Sequence, residues 1–301
     1  MPKAVVMRGT GAPSVLEWTD VPLREPGTGQ IRVRVRAAGI SPTDLAVRSG
    51  HLKAFPLPQD AVPGFQVAGT VDAVGASVTG VEVGDEVAAF LLGLGGYAEY
   101  AIASIWTRKP ATVSWTDAAA LPSAAEAAVR VLRELGVRGG ERLALFGGAG
   151  AVGTIATQLA VGLGVEVVSA VRGGDEGFVR ELGATPVLYG DGVVERIRAT
   201  GEVDAVLDAA GVGVLGDALA LTGSPDRVIT LSDPNAARFG VRLSGPDADT
   251  AAAALEEVMA LLADGRLRLR PYTVAPVSEA GEAHRALESG EVRGQVVLAV
   301  A

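Results

Sequence analysis

The sequence predicts a two-part α/β protein, with a β-rich, barrel-like first part and a doubly wound parallel sheet after it. Short apolar runs separated by glycine and proline fill the first third of the chain, as in compact β domains. From about residue 122, short apolar strands alternate with helical patterns, which is typical of a parallel sheet covered by helices. The length of 301 residues favours about two domains.

The first part contains predicted strands at residues 3–7, 15–19, 30–38, 68–75, 85–90 and 97–103. In the third of these, Arg32, Arg34 and Arg36 alternate with apolar residues. A period of two places alternate side chains on opposite faces of a strand. We therefore expect the apolar face in the core and all three arginines in water.

The second part alternates predicted strands and helices along the chain. The strands lie at residues 142–146, 165–171, 186–189, 203–209 and 227–231, and the helices at 152–163, 176–182, 193–199 and 214–221. A helix at 251–263, a strand at 267–274, a helix at 279–288 and a strand at 295–300 follow. The last strand has no obvious parallel neighbour in the second part, so a return to the first part is open to it.

Composition argues against several classes of partner. The net charge of −9 opposes binding to a phosphate backbone, so no nucleic-acid partner is expected. No apolar run reaches the roughly 18 residues that a membrane span needs, and the first residues do not resemble a secretion signal. The chain contains no cysteine, which excludes disulfides, thiolate zinc sites and cysteine nucleophiles. These features together favour a cytoplasmic protein without a membrane partner.

A glycine-rich turn lies between the predicted strand 142–146 and the predicted helix 152–163. Gly147, Gly150 and Gly153 give the spacing G-x-x-G-x-x-G, with Gly148 beside the first. A helix start offers unpaired N–H groups and the positive end of the helix dipole, which suits a pyrophosphate, while glycine permits close approach. The plain alternative is a tight turn that binds nothing, but the further strand–helix units favour a dinucleotide site.

The end of the second strand predicts which dinucleotide binds. Enzymes that use NAD place a carboxylate there, about 20 residues after the glycine turn, and it accepts a hydrogen bond from the ribose 2′-hydroxyl. Here the strand leads into Arg172, and no carboxylate appears before Asp175. A guanidinium suits a 2′-phosphate, so NADPH is favoured, although Arg172 as an ordinary solvated residue is the alternative. The predicted cofactor residues are Gly147, Gly150, Ala151, Val152, Gly153, Arg172, Ala210 and Leu231.

Several short motifs follow one another along the chain. They are A-G-I-S-P-T-D at 38–44, P-G-F-Q-V-A-G at 63–69, G-D-E-V at 84–87, G-G-Y-A-E-Y at 95–100, A-A-L-P at 119–122, and A-H-R-A-L-E-S-G at 283–290 with R-G-Q-V-V-L at 293–298. In this order, the motifs resemble the medium-chain dehydrogenase/reductase superfamily in its zinc-free quinone oxidoreductase branch. Each motif is loose by itself, but their order and spacing make the resemblance specific over nearly the whole chain.

The resemblance implies a GroES-like catalytic domain formed by residues 1–121 and 266–301, and a Rossmann domain formed by residues 122–265. It also implies an active site in the cleft between them. Members of this branch transfer hydride from NADPH to quinones or α,β-unsaturated carbonyls without zinc, and they are commonly dimers. The expected partner is therefore a small-molecule electrophile.

The resemblance also points to a pocket, in which this chain departs from the family pattern. Ser41 replaces an asparagine, Gln66 a glutamate and Glu126 a threonine, and His51-Leu52-Lys53 stands where a tyrosine is common. The pocket candidates are Ser41, Asp44, Arg48 and Gln66, with His51 nearby, and none is assigned as the proton donor.

Each pocket candidate has a plainer structural alternative. Ser41 is well placed to cap the turn before Pro42, and Asp44 to cap the helix that follows. Arg48 can pair with Asp44 at a spacing of four residues on that helix. His51 follows a glycine in a proline-rich loop and is equally consistent with an exposed residue.

The leading functional hypothesis is an NADPH-dependent reductase of quinones or enones. The first alternative is a reductase of enoyl-thioesters or specialised metabolites, which the altered pocket suits. The second is a catalytically idle NADPH-binding protein that senses the cofactor or regulates a partner. Measured turnover separates the two enzymes from the sensor.

Residues 238–245 contain a predicted edge strand of the second sheet. Val241 and Leu243 alternate with Arg242 and Ser244, and no proline interrupts them. An open strand edge exposes backbone donors and acceptors, which are normally paired or covered. The resemblance implies pairing with the same strand of a second copy, hence a homodimer, whereas a loop of the same chain covering the edge is the alternative.

Overall fold

The computed structural model describes residues 1–52 and 57–301, which divide into two compact units. The first unit comprises Met1–Ser123 and Ala248–Ala301, and the second comprises Ala124–Asp247. Lys53 lies outside the described residues. It is the last residue of His51-Leu52-Lys53, the segment that stands where a tyrosine is common in the family.

The helices and strands follow one another along the chain in this order. The first unit begins with β1 (Lys3–Met7), β2 (Leu16–Asp20), β3 (Ile31–Ile40), α1 (Pro42–Ser49), β4 (Gln66–Val74), β5 (Glu86–Phe90), β6 (Tyr100–Ala103), β7 (Ile105–Arg108) and α2 (Trp115–Ala120). Next come α3 (Pro122–Leu135), β8 (Arg142–Phe146), α4 (Ala151–Gly162), β9 (Glu166–Val171), α5 (Glu176–Glu181), β10 (Thr185–Leu188), α6 (Val193–Arg198), β11 (Ala205–Asp208), α7 (Leu215–Thr222), β12 (Val228–Thr230) and β13 (Arg242–Leu243). The chain ends with α8 (Ala248–Ala263), β14 (Tyr272–Pro276), α9 (Ala280–Ser289) and β15 (Gln295–Ala299).

The first unit contains a seven-stranded sheet in the order β14-β15-β3-β4-β5-β7, with β6 also paired to β3, and a separate β1-β2 pair. The last strand, β15, runs antiparallel to β3, with Val296 opposite Ile40. The prediction that this strand can return to the first part is confirmed. Strand β14 begins at Tyr272, later than the predicted strand at 267–274.

Helix α8 belongs to the first unit, whereas the predicted boundary at 265/266 placed it in the Rossmann domain. Ala251 and Leu255 of this helix are fully buried in an apolar cluster with Phe90 and Ile105. The apolar face of an amphipathic helix is compatible with either domain, so only this packing decides its place.

The expectation that Arg32, Arg34 and Arg36 all lie in water is wrong for Arg32. Arg34 and Arg36 are exposed, but Arg32 is buried and binds both carboxylate oxygens of Asp72, at 2.8 and 3.0 Å. Its guanidinium also binds the carboxylate of Glu25 at 2.8 Å and donates to the carbonyl of Arg24 at 3.0 Å. A bidentate carboxylate compensates the guanidinium for the water that it loses.

The second unit contains a six-stranded parallel sheet in the order β10-β9-β8-β11-β12-β13. The chain first builds outward from β8 to β10 and then returns to the other side of β8, so the strand order reverses between β8 and β11. Phe146 stands opposite both Ala170 and Asp208, which brings the carboxyl ends of three central strands level. Ligands of open α/β sheets bind at such a reversal.

Strand β13 forms one edge of this sheet, but its side chains do not alternate as predicted. Val241 and Leu243 were expected on the same face, yet Val241 is buried and Leu243 is 54% exposed. Ser244 is buried instead, because it accepts a hydrogen bond from Arg130. Across the described residues, none of the helices is both long enough and apolar enough to cross a membrane.

Candidate functional site

The glycine turn after β8 adopts a conformation that side chains would obstruct. Gly147 has a φ of +89°, and a Cβ there would lie 3.1 Å from the backbone nitrogen of Ala210. A Cβ on Gly153 would lie 2.3 Å from the carbonyl oxygen of Gly147, so only glycine lets α4 pack this closely on the turn. The turn itself is closed by a hydrogen bond of 2.9 Å from Gly150 N–H to Gly147 O.

The start of α4 has the properties of an anion-binding site. Gly150 is the N-cap residue and provides no side-chain acceptor for the first helical N–H groups. Those groups include the backbone of Ala151, Val152 and Gly153, and the 12-residue helix directs its positive dipole end toward them. The residues present therefore fit the pyrophosphate of a dinucleotide.

The next two strand ends place a cation and a hydroxyl close to this turn. Arg172 follows β9, is exposed, and makes no side-chain hydrogen bond or ion pair with the described residues. Tyr189 follows β10, and its hydroxyl is buried without a hydrogen-bond partner among the described residues. Burial, and next the charge of Asp208, raise the pKa of Tyr189 to about 12, while the backbone of Gly147 and then the charge of Arg172 act in the opposite direction.

Sequence analysis missed Tyr189, because a tyrosine at the end of a short strand is indistinguishable from a core residue. The available signal was the position of Tyr189 at the carboxyl end of the predicted strand 186–189. The parallel register places the ends of β9 and β10 side by side, with Leu188 opposite Val171. An unpartnered hydroxyl and an unpaired guanidinium at one sheet edge suit a phosphate ester.

The remaining predicted cofactor residues, Ala210 and Leu231, follow β11 and β12. The N–H of Ala210 donates to Asp208 Oδ1 at 3.0 Å, and the N–H of Leu231 donates to the Asp208 carbonyl at 3.0 Å. Both residues thus lie at the carboxyl edge of the sheet, on the side of β8 opposite to Arg172.

In the first unit, Ser41 and Asp44 form a capping box at the start of α1. Asp44 Oδ2 accepts hydrogen bonds from the backbone N–H and the hydroxyl of Ser41, both at 2.7 Å. Asp44 Oδ1 accepts the N–H of Gly64 at 3.0 Å. Asp44 is fully buried, and burial raises its pKa to about 6 although these hydrogen bonds act against the shift.

A buried pair that sequence analysis did not assign to the site lies next to Asp44. The Tyr97 hydroxyl is hydrogen bonded to Asp44 and lies 3.2 Å from His284 Nε2. Burial, and then the Asp44 charge, raise the pKa of Tyr97 well above its usual value. Burial, and then the charge of Arg48, lower the pKa of His284 to about 4. The imidazole is therefore neutral near pH 7.

Arg48 does not form the ion pair with Asp44 that was considered from their spacing. Its guanidinium donates to the carbonyl of Gly11 and to the carboxylate of Glu288. The side chain is 2% exposed. Arg48 therefore connects α1 to α9, and the hydrogen bonds of Asp44 are made to Ser41, Gly64 and Tyr97 instead.

Gln66 holds the segment that leads from α2 into α3. Its Oε1 accepts the N–H of Ser123 at 2.9 Å, and the residue is 1% exposed. A Cβ on Gly39, on the neighbouring strand, would lie 2.4 Å from Gln66 Nε2 and 2.6 Å from the backbone carbonyl oxygen of Ala119, and the fixed backbone atom explains why glycine is needed there. His51 is exposed, and its Nδ1 lies 2.6 Å from the Ser49 hydroxyl.

Glu126, which replaces the family threonine, is occupied by contacts within the second unit. Its carboxylate binds Arg130 at 2.7 and 3.2 Å and accepts the N–H of Asp247 at 3.0 Å. Glu126 is 2% exposed and Arg130 is 7% exposed. Throughout residues 1–52 and 57–301, no three histidine, aspartate or glutamate side chains converge as a metal site would require.

The chain resembles known proteins along nearly its whole length. Residues 27–110 match the alcohol dehydrogenase GroES-like domain, and residues 182–298 match a family described as zinc-binding dehydrogenase. A quinone oxidoreductase of Pseudomonas aeruginosa is 29% identical over 99% of each chain. An NADPH-dependent alkenal/one oxidoreductase of Arabidopsis thaliana is 30% identical over 98% of this chain and 79% of the relative.

A solved structure shares the fold. A mycobacterial protein in complex with NADPH has a TM-score of 0.87 and 27% identity, covering 99% of this chain and 100% of that one. A GroES-like β unit and a doubly wound unit with a glycine turn define the class of two-domain dehydrogenases and reductases. The chain belongs to the medium-chain dehydrogenase/reductase superfamily, in its quinone oxidoreductase-like branch.

Proposed function

We propose that the protein is a zinc-independent oxidoreductase that uses NADPH to reduce a quinone or an α,β-unsaturated carbonyl compound. The observation that carries the cofactor assignment is the exposed Arg172 guanidinium, which has no hydrogen-bond or ion-pair partner among the described residues and lies with the Tyr189 hydroxyl beside the glycine turn. The relatives named above support the reaction class. The absence of cysteine removes the thiolate ligand that zinc enzymes of this superfamily use.

Different residues of the chain would bind the two phosphate groups of NADPH. The N–H groups of Ala151, Val152 and Gly153 would hold the pyrophosphate, and Arg172 with Tyr189 would hold the 2′-phosphate. When bound, NADPH supplies the hydride. With no thiolate available for zinc, the developing oxyanion must be stabilised by N–H groups, hydroxyls and water.

Ser41 is the pocket candidate best placed to handle a proton. Of the four predicted side chains, Asp44, Arg48 and Gln66 are buried at 0%, 2% and 1% exposure, whereas Ser41 is partly exposed. The Ser41 hydroxyl donates to Asp44 Oδ2 at 2.7 Å. Burial makes Asp44 hold a proton more readily than an exposed aspartate does, and in that protonated form its carboxyl can donate to Ser41 Oγ while the Ser41 hydroxyl proton passes to a product, which leaves Asp44 as the carboxylate.

Steady-state kinetics test this function. With NADPH and a panel of quinones and enones, we expect turnover that EDTA does not abolish, and a lower KM for NADPH than for NADH. Arg172→Ala should raise the KM for NADPH roughly tenfold or more and leave that for NADH nearly unchanged, because a charge-assisted hydrogen bond is lost. Arg180→Ala, which removes another exposed arginine of the same unit, should change neither value.

Three outcomes would contradict parts of the proposal. Equal KM values for NADPH and NADH in the starting protein would overturn the cofactor assignment. Turnover of enoyl-thioesters alone would replace the substrate class. NADPH binding without turnover of any electrophile would favour a sensor or regulatory protein.

We also propose a homodimer formed through β13, while a cytosolic location stays a prediction. Leu243 is 54% exposed and Arg242 is exposed at this open edge, as an interface strand requires. Val241 is a poor test position, because it is buried and its N–H already binds the Ala236 carbonyl at 3.0 Å. Leu243→Lys changes the exposed side chain without disturbing those contacts.

We expect sedimentation at micromolar concentration to show a dimer for the starting protein and a monomer for Leu243→Lys, because a charge would be buried at the interface. Leu188→Lys, at the opposite edge of the sheet and 43% exposed, is the matched control and should remain dimeric. A monomeric starting protein, or dissociation of both variants alike, would contradict the proposed interface.

A further inference from the structure

The carboxylate of Asp208 connects the two loops that follow β11 and β12. Asp208 is the last residue of β11 and is fully buried. Its Oδ1 accepts the N–H groups of Ala210 at 3.0 Å and Gly211 at 2.9 Å. Its Oδ2 accepts the hydroxyl of Thr230 at 2.8 Å. The first loop is thus held directly and the second through Thr230.

Thr230 extends the connection into the loop after β12. Its hydroxyl oxygen, having donated its proton to Asp208, accepts the N–H groups of Ser232 at 3.3 Å and Asp233 at 3.1 Å. Asp233 Oδ1 in turn accepts the backbone N–H of Asn235 at 2.8 Å. One buried carboxylate therefore determines the path of both loops.

These loops lie at the point where the strand order reverses. A Cβ on Gly147 would lie 3.1 Å from the nitrogen of Ala210, so the loop after β11 is in direct contact with the glycine turn. The 2′-phosphate end of the cofactor is assigned to the ends of β9 and β10, on the other side of β8. A dinucleotide centred on the glycine turn would extend its nicotinamide half over the ends of β11 and β12.

We infer that Asp208 is a positioning residue for the nicotinamide half of the cofactor. Its carboxylate oxygens are used within the protein, so it acts by fixing the backbone at Ala210 and Gly211 and, through Thr230, at Ser232 and Asp233, rather than by touching the ligand. This inference rests on the proposed dinucleotide site. A carboxylate that served only the fold would affect both halves of the cofactor equally, whereas a positioning residue would affect one.

The test compares binding of NADPH with binding of 2′,5′-ADP, which carries the 2′-phosphate but no nicotinamide. Thr230→Val removes the linking hydroxyl with little change in shape. We expect the Kd for NADPH to rise roughly tenfold, the effect of about one lost hydrogen bond, and that for 2′,5′-ADP to change by less than about twofold.

Thr157→Val is the matched control. Thr157 is also fully buried, but its hydroxyl has no hydrogen-bond partner among the described residues, so both affinities should stay unchanged. Parallel weakening of both ligands in folded Thr230→Val, or no weakening of NADPH, would overturn the inference.

The cofactor preference of the starting protein tests the proposed function separately. If it prefers NADH, the NADPH assignment fails, and the same comparison of NADH with ADP still decides the role of Asp208. A starting protein that binds neither dinucleotide would overturn both.

Discussion

Replacing Glu126 with alanine is expected to lower the free energy of unfolding by about 3–5 kcal/mol, because it leaves a buried guanidinium without its carboxylate. Arg130 is 7% exposed and binds both oxygens of Glu126. The N–H of Asp247 loses its acceptor in the same change. Urea unfolding followed by circular dichroism measures the effect.

Glu282→Ala is the matched control for this prediction. Glu282 and Arg285 also form a helical ion pair, at 2.6 Å, but the two side chains are 63% and 45% exposed. Exposed pairs contribute between zero and about 1 kcal/mol, so a small change is expected. A loss for Glu126→Ala no larger than that for Glu282→Ala would show that the buried pair is not a determinant of stability.

Replacing His284 with glutamine is expected to remove an acid-sensitive contribution to stability of about 3 kcal/mol, which follows from a pKa lowered from 6.5 to about 4. A group with a lowered pKa in the folded state stabilises the fold fully above its unfolded value. That contribution is lost as the pH falls from about 6.5 to 4, since the unfolded chain takes up the proton first. The glutamine variant does not titrate there.

Asp44 acts in the opposite direction over nearly the same range. Its pKa is raised from 3.8 to about 6 in the folded protein. Its contribution is therefore present at low pH and is lost as the pH rises through 6. In the starting protein the two contributions nearly cancel between pH 4 and 6, which masks both.

Unfolding free energies measured between pH 7.5 and 4.5 separate these contributions. Relative to the starting protein, His284→Gln should become progressively more stable as the pH falls, and Asp44→Asn progressively less stable. Curves for His284→Gln and the starting protein that stay parallel over the whole range would show that the imidazole is not held neutral by burial.

The sequence predicted the order of elements well where the pattern is local. Periodicity and turn residues predict the glycine turn, the strand before it, the helix and strand after it, and the final strand of the chain. The structure has each of these within a few residues of its predicted position. The geometry of the glycine turn could be predicted because a strand–glycine–helix unit specifies its own geometry. The cofactor residues stay predictions, and Arg172 was selected among them because its position is counted from that turn.

Local patterns failed where the outcome depends on a partner distant in the chain. Arg32 was expected in water because it lies two residues before Arg34 and hence on the same face of the strand. The structure shows it buried and bound to the Asp72 carboxylate on β4. Tyr97 and His284 are 187 residues apart, and no sequence motif joins them.

The sequence by itself determined the superfamily, the glycine turn between a strand and a helix and the absence of thiolate chemistry, since each depends on residue identity and short spacing. Only the tertiary structure decided that Glu126 is satisfied by Arg130, that Arg48 binds Glu288 rather than Asp44, and that Asp208 holds two loops at once. The physical reason is that a buried charge or hydroxyl must find a partner, and the fold brings that partner from any part of the chain.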